Sequence, residues 1–272
     1  MSEIIEISNI SAPELDVYSK LTQAQLKNRQ NPENGLFIAE GTKVIETALK
    51  NKISPVSLLV EKRHIDGKAA DIINLCPGIP VYTAEYDVLK ALTGYELTRG
   101  VLCAMRRPAA QDPVAVCQNQ KRIAVLENIV DASNLGAIFR SAAALGIGGI
   151  MLSPSCCDPM YRKAVRTSMG TVFQIPWCRY EGKWPEDGIK FLKELGFKTL
   201  SLALNKEALS IDDTLFTGME KLALILGTEG NGLDQNTISA SDYSVYIPMH
   251  NNVDSLNVAA AASIAFWQLR DK

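Results

Sequence analysis

Two rhythms of apolar and polar positions alternate along the chain, and the alternation runs through twice. Between Glu14 and Arg29 apolar residues recur at helical spacing, which predicts an amphipathic helix. Short apolar runs then predict strands at Gly35–Ala39, at Pro55–Val60, near Val81 and at Gly100–Ala104. Helical patterns at Thr42–Lys50, Asp66–Leu75 and Glu85–Leu92 separate them. Around Arg106–Pro113 the apolar content falls and two prolines appear, the composition of a linker. A second alternation begins at Arg122, with strands predicted at Ile123–Leu126, Gly149–Ser153, Thr171–Ile175, Thr199–Leu204, Leu222–Leu226 and Ser244–Ile247. A helix from about Ser255 to Leu269 follows them. Runs this apolar on both faces belong in a parallel sheet covered by helices on both sides. The fold class is therefore α/β, with a smaller N-terminal α/β domain (1–108), a linker (109–120) and a larger C-terminal parallel-sheet domain (121–272).

Composition narrows the class without naming a chemistry. The 272 residues are 47% hydrophobic and 21% charged, an ordinary globular balance. No apolar run approaches the ~20 residues of a membrane span. The opening Met-Ser-Glu-Ile-Ile-Glu is acidic where a leader would be basic, so a cytoplasmic location is expected. Six cysteines without a Cys-x-x-Cys pair, and only two histidines, make a metal site unexpected. Adjacent Cys156 and Cys157 are read as reduced thiols. Net charge is −2 and neither half is a polycation, so bulk charge gives nucleic-acid binding no support. One local patch does: Pro159–Tyr180 carries Arg162, Lys163, Arg166 and Arg179 and no acid. The first three lie at i, i+1 and i+4, on one helical surface that reads equally well as solvated or as RNA-binding.

Candidate chemistry sits in three loops that follow predicted strands, where ligands bind in parallel sheets. In Asn134-Leu-Gly136-Ala-Ile-Phe-Arg140, Ser133 or Asn134 can cap a helix that Gly146 stops, and Gly136 shares a face with Arg140. Such a face can grip a phosphate or carboxylate; taken alone, a cap, a packing glycine and a surface-paired arginine is the better reading. In Leu226-Gly227-Thr-Glu229-Gly-Asn-Gly232 three glycines predict positive φ or close backbone approach. This is neither a Walker loop nor a dinucleotide fingerprint. Its lone carboxylate, Glu229, has Arg140 as the obvious partner. The third stretch runs from Ile247-Pro-Met249 to Ser255-Leu256-Asn257-Val-Ala, with Asp254 or Ser255 expected to cap the following helix. No Ser-His-Asp or Cys-His triad suggests itself, and His250 reads as a loop residue.

Taken in order, these three motifs, with Lys163-x-x-Arg166-x-Ser168-Met-Gly170 between them, resemble the SpoU/TrmH branch of the SPOUT RNA methyltransferases. The resemblance covers roughly residues 121–272. The first domain is similar to the L30e-like substrate-binding domain of rRNA members, through Phe37-Ile-Ala-Glu40-Gly-x-Lys43 and Gly100-Val-Leu; relatives often carry Pro-Gln where this chain has Thr98-Arg99. The resemblance implies a deep trefoil knot in the C-terminal domain, a homodimer with the active site at its interface, and S-adenosyl-L-methionine as cofactor. It implies backbone contacts to the cofactor from Gly227, Ile247 and Leu256, with Leu226 and Met249 lining the adenine pocket. Arg140 matches the residue assigned to activating a ribose 2′-hydroxyl, and Asn134, Glu229, Ser255 and Asn257 match the groups that position that hydroxyl and orient the arginine. It also lets Asn134 and Arg140 act across the dimer. Arginine is normally too basic to take a proton, which favours Arg140 as electrostatic stabiliser over general base. The expected activity is 2′-O-methylation of RNA, with ribosomal RNA favoured by the appended first domain. The rival readings are a tRNA methyltransferase, an inactive knotted RNA-binding factor, and a nucleotide-dependent enzyme acting on small molecules.

Overall fold

The computed structural model describes residues 2–97, 99–228, 232–251 and 253–271. In chain order the first part holds β1 (Glu3–Glu6), α1 (Asp16–Ser19), α2 (Gln23–Lys27), β2 (Leu36–Glu40), α3 (Thr42–Lys50), β3 (Pro55–Glu61), α4 (Ala70–Leu75), β4 (Pro80–Ala84), α5 (Tyr86–Thr93) and β5 (Val101–Arg106). There follow α6 (Pro113–Cys117), β6 (Arg122–Leu126), α7 (Ala132–Ala144), β7 (Gly149–Leu152), α8 (Arg162–Thr167), β8 (Trp177–Arg179), α9 (Glu186–Glu194), β9 (Lys198–Leu202), β10 (Leu209–Ser210), β11 (Leu222–Leu226), α10 (Gln235–Ala240), β12 (Tyr243–Tyr246) and α11 (Val258–Leu269). The chain divides into two units. The first is the chain up to Ala109 together with Met160–Phe173, and the second is Ala110–Pro159 together with the chain from Gln174 onward.

In the first unit a five-stranded sheet runs in the order β1-β4-β3-β5-β2. β4 is parallel to β1 and β3, whereas β5 is antiparallel to both its neighbours. The core under it includes Leu15, Tyr18, Ile38, Leu59, Leu89 and Leu102. The single helix expected over Glu14–Arg29 is broken instead. Its first piece opens at Pro13 and ends at Ser19; Thr22 then starts a new helix with a capping box, and Asn28 stops it in a left-handed conformation. Local capping chemistry overrode the helical periodicity there.

In the second unit seven parallel strands are ordered β10-β12-β9-β11-β6-β7-β8. β6, β7 and β11 are buried along their whole length, which is the physical content of their unbroken apolar runs. The strand predicted at Thr171–Ile175 is absent. Thr171–Phe173 is a 3-10 turn packed in the first unit, where Phe173 meets Phe37 at 5.4 Å between ring centroids, and the sheet strand begins later, at Trp177. Part of the stretch expected as linker is ordered helix: Asp112 caps α6, Pro113 sits in its first turn, and Val116 and Cys117 are buried in the second unit's core. Among the described residues no helix is long and apolar enough to cross a membrane.

Candidate active site

β11 delivers its chain end as a pinched loop. A Cβ at Gly227 would stand 2.5 Å from the backbone carbon and oxygen of Gly232, so only glycine lets the loop close on itself. Gly232 N–H donates to the Thr228 carbonyl at 3.0 Å, and Gly232 takes a φ of +65°. Both expectations for this glycine-rich stretch, close approach and positive φ, are realised, at different glycines. Glu229, expected to be catalytic and paired with Arg140, lies outside the described residues.

The segment after β12 returns toward the same place. Asn251 adopts a left-handed φ of 58°, and Val253 N–H donates to the His250 carbonyl. The cap of α11 is Asn257, whose Oδ1 accepts from Ala259 N–H at 3.0 Å, and not Asp254 or Ser255 as expected. The helix starts later than the sequence suggested because Asn257 holds the extended backbone of a cap. A cavity of about 800 Å³ opens between these loops, at the C-terminal ends of β9, β11 and β12. All five residues expected to bind a cofactor line it: Leu226, Gly227, Ile247, Met249 and Leu256. Ser255 lines it as well, and Leu202, Tyr246, Val258 and Ala261 add apolar wall. No lysine or arginine is among its described lining residues; Asp254 is the acidic one.

α7 carries the remaining polar candidates. Its cap is Asp131, whose carboxylate accepts from the N–H groups of Ser133 and Asn134, where Ser133 or Asn134 had been expected. The Asn134 side chain is thereby available to α11, and its Oδ1 accepts from Asn257 Nδ2 at 3.1 Å. Gly136 is buried, which fits close packing of α7 on α11 and not an open ligand face. Arg140 is exposed, and among the described residues no carboxylate pairs with it and it does not line the cavity. Asn134 and Asn257 are thus brought together, the five cofactor candidates and Ser255 share one cavity, and Arg140 stands apart on its helix.

Two of the three cations expected to bind RNA meet a buried carboxylate of the first unit. Arg162 donates from Nε and Nη2 to one oxygen of Glu40 at 3.0 and 2.8 Å and stacks 3.7 Å from the Tyr95 ring. Arg166 approaches the same oxygen at 3.6 Å, and Lys163 is exposed on the helix between them. Glu40 is 1% exposed, so this is a buried carboxylate compensated by a planar cation. Desolvation, first of all, raises the Tyr95 phenol above its ordinary pKa, and the Arg162 charge works against that rise.

Two groups hold the second unit's loops in roles the sequence did not suggest: Arg179, read only as part of a basic patch, and Glu127. Arg179 donates to the carbonyls of Ser153, Pro154, Cys156 and Cys157, fixing the turn after β7. Glu127, fully buried just past β6, accepts from Trp184 Nε1, Thr237 Oγ1 and Asp234 N–H. The signal available for Glu127 was a charged residue directly continuing an apolar run; nothing local distinguishes it from a strand-end surface residue.

The profile of the SpoU rRNA Methylase family matches residues 121–267, and that of the MRM3-like substrate binding domain matches residues 18–103. An uncharacterised tRNA/rRNA methyltransferase of Mycobacterium bovis is 34% identical, over 98% of this chain and 91% of its own length. The 23S rRNA (guanosine(2553)-2'-O)-methyltransferase RlmP of Bacillus subtilis is 27% identical, over 89% of this chain and 91% of its own. Among solved structures, the AdoMet-bound rRNA methyltransferase from Sinorhizobium meliloti shares the fold with a TM-score of 0.79 at 24% identity, covering 98% of this chain and 97% of that one.

Proposed function

The chain belongs to the SpoU rRNA Methylase family, and from that premise we propose that it methylates a ribose 2′-hydroxyl of 23S-type ribosomal RNA, with S-adenosyl-L-methionine held in the β9–β11–β12 cavity. The observation that carries this reading is the cavity itself, in which Leu226, Gly227, Ile247, Met249, Leu256 and Ser255 converge from two separate loops. Its volume of about 800 Å³ suits a small-molecule site, which typically spans about 300–1,000 Å³. Its lining suits this donor. Asp254 and the apolar walls favour a ligand with cationic and aromatic parts.

When bound, the donor supplies an electrophilic methyl group on a sulfonium. The chain's own part is alignment of an oxygen nucleophile, which is where the gain in an in-line displacement lies. Asn257 is fixed at both ends of its amide, between Ala259 N–H and Asn134, and can present Asn134 in one orientation. Ser255, two residues earlier, lies at the cavity wall, and Glu229 is assigned with it to orienting the hydroxyl. Arg140 stabilises the developing alkoxide and the neighbouring phosphate as a permanent cation. Its exposure, and its absence from the cavity lining, support a homodimer in which a second copy completes the site. Exposed Ile264 and Trp267, one helical turn apart on α11, offer an apolar stripe for that contact.

A knotted path through the second half of the chain is part of the same proposal, and membership of the family supports it. The first unit takes the role of RNA recognition, with Lys163, Arg162 and Arg166 at its edge, and a ribosomal substrate implies action in the cytoplasm. Transfer of tritium from labelled S-adenosylmethionine to unmodified ribosomal RNA, followed by mapping of the methylated ribose, tests the proposal. Incorporation into a ribose of the large-subunit RNA is expected. RNA binding without incorporation would replace the enzyme with an assembly factor, and incorporation into tRNA alone would replace the substrate.

A further inference from the structure

We propose that Glu127 is a positioning residue for the donor-binding loop, and that Trp184 reports its state. The assignment rests on the reading of the cavity given above. Glu127 touches both limbs of the loop that begins at Gly227. Its backbone N–H donates to the Leu226 carbonyl at 2.8 Å, immediately before the loop leaves β11. Its Oε1 accepts from Asp234 N–H at 2.8 Å, immediately after the loop returns through Gly232 and Leu233. Its Oε2 accepts from Thr237 Oγ1 on α10 and from Trp184 Nε1 at 2.6 Å. Leu226, Gly227, Gly232, Leu233, Gln235 and Ile238 all line the cavity, so one residue meets both edges of that wall, the outgoing limb through its backbone N–H and the returning limb through its buried carboxylate.

Chemistry makes the anchor specific for a carboxylate. Three donors converge on two oxygens, a set that an ionised acid satisfies completely. An amide in the same place turns an NH₂ group toward at least one of them, and a buried donor left unsatisfied displaces its neighbours. The residue touches no cavity space itself and acts through the loop. Trp184 extends the anchor to the segment before α9, where its ring lies edge-on to Tyr180 at 6.4 Å between centroids. An indole whose N–H is bonded to a carboxylate changes emission when that bond is lost.

The test is titration of the purified full-length chain with S-adenosylhomocysteine by calorimetry, with tryptophan emission read in parallel. Glu127→Gln is expected to raise the Kd at least about tenfold and to shift the emission attributable to Trp184, identified against Trp184→Phe. Thr237→Val, which removes one donor and leaves the acid, is expected to raise the Kd by a smaller factor in the same direction, and decides the matter should Glu127→Gln not fold. Unchanged affinity in these variants, with only a lowered unfolding temperature, would overturn the assignment and leave Glu127 a fold-holding group. Absence of binding by the parent chain would instead overturn the reading of the cavity on which it rests.

Discussion

The side-chain amide of Asn257 is used at both ends: Oδ1 accepts from Ala259 N–H at the start of α11, and Nδ2 donates to Asn134 Oδ1 at 3.1 Å, in the first turn of α7. One residue therefore caps a helix and sets the rotamer of a polar group on another helix. These duties can be separated. Asn257→Asp keeps the acceptor and puts a carboxylate oxygen against the Asn134 oxygen, whereas Asn257→Ala loses both functions.

Asn257→Ala is expected to cost about 0.5–2 kcal/mol through the lost cap, lowering Tm by a few degrees. Asn257→Asp is expected to keep most of that stability. Methyl transfer should fall at least about tenfold in both, because the Asn134 orientation is lost in each. Thermal unfolding and tritium incorporation measured side by side check this. An active Asn257→Asp chain would sink the role given to the pair.

Gly227→Ala places a methyl 2.5 Å from the Gly232 backbone, a distance no relaxation of a side chain can relieve. The loop must open. We expect affinity for S-adenosylhomocysteine to drop at least about tenfold while far-ultraviolet circular dichroism stays unchanged, since the strain is confined to the loop.

Arg140→Ala is expected to remove methylation by about a hundredfold or more and to leave donor affinity within about threefold. If the arginine serves its partner's cavity, mixing Arg140→Ala chains with Gly227→Ala chains should restore about a quarter of parental turnover, because half the dimers then hold one intact composite site. No restoration on mixing would assign the arginine to its own chain's cavity.

Removing Arg162 leaves buried Glu40 with only the longer contact to Arg166, at 3.6 Å. Arg162→Ala is therefore expected to destabilise the first unit by about 2–3 kcal/mol, and the added change Glu40→Gln to recover part of the loss. Lys163→Ala should weaken RNA binding at all sequences and reduce the salt slope by about one. An unchanged salt slope in the Lys163 variant would remove that residue from the RNA contacts.

Strands were the most legible part of the sequence, because a strand buried on both faces writes itself as an unbroken apolar run, as in Leu222–Leu226. The loops of the cofactor candidates stood out by their glycines and proline, but the candidates themselves came from the resemblance; the structure gathers them around one cavity. Helix caps were not legible. Asp131, Ser133 and Asn134 are all competent caps, and only the backbone angle at Asp131 selects it. The same failing hid Glu127, whose three donors come from residues 57 to 110 positions away in sequence. Thr171–Phe173 failed for another reason: its apolar residues are buried against the first unit, so burial mimicked a strand. The Arg162 and Arg166 charges read as solvated or RNA-binding, because Glu40, their counter-ion, is more than a hundred residues upstream.

All the described residues lining the cavity lie between Leu202 and Ala261, although the unit to which they belong begins with α6 and β6. Arg122, the first residue of β6, donates to the carbonyl of Leu269 at the far end of α11. During synthesis the sheet centre can assemble while the ribosome is still making the walls, but a nascent chain halted before Ala261 has nowhere to seat a small molecule. Translation therefore times competence: the site can form only once residues 202–261 have been made.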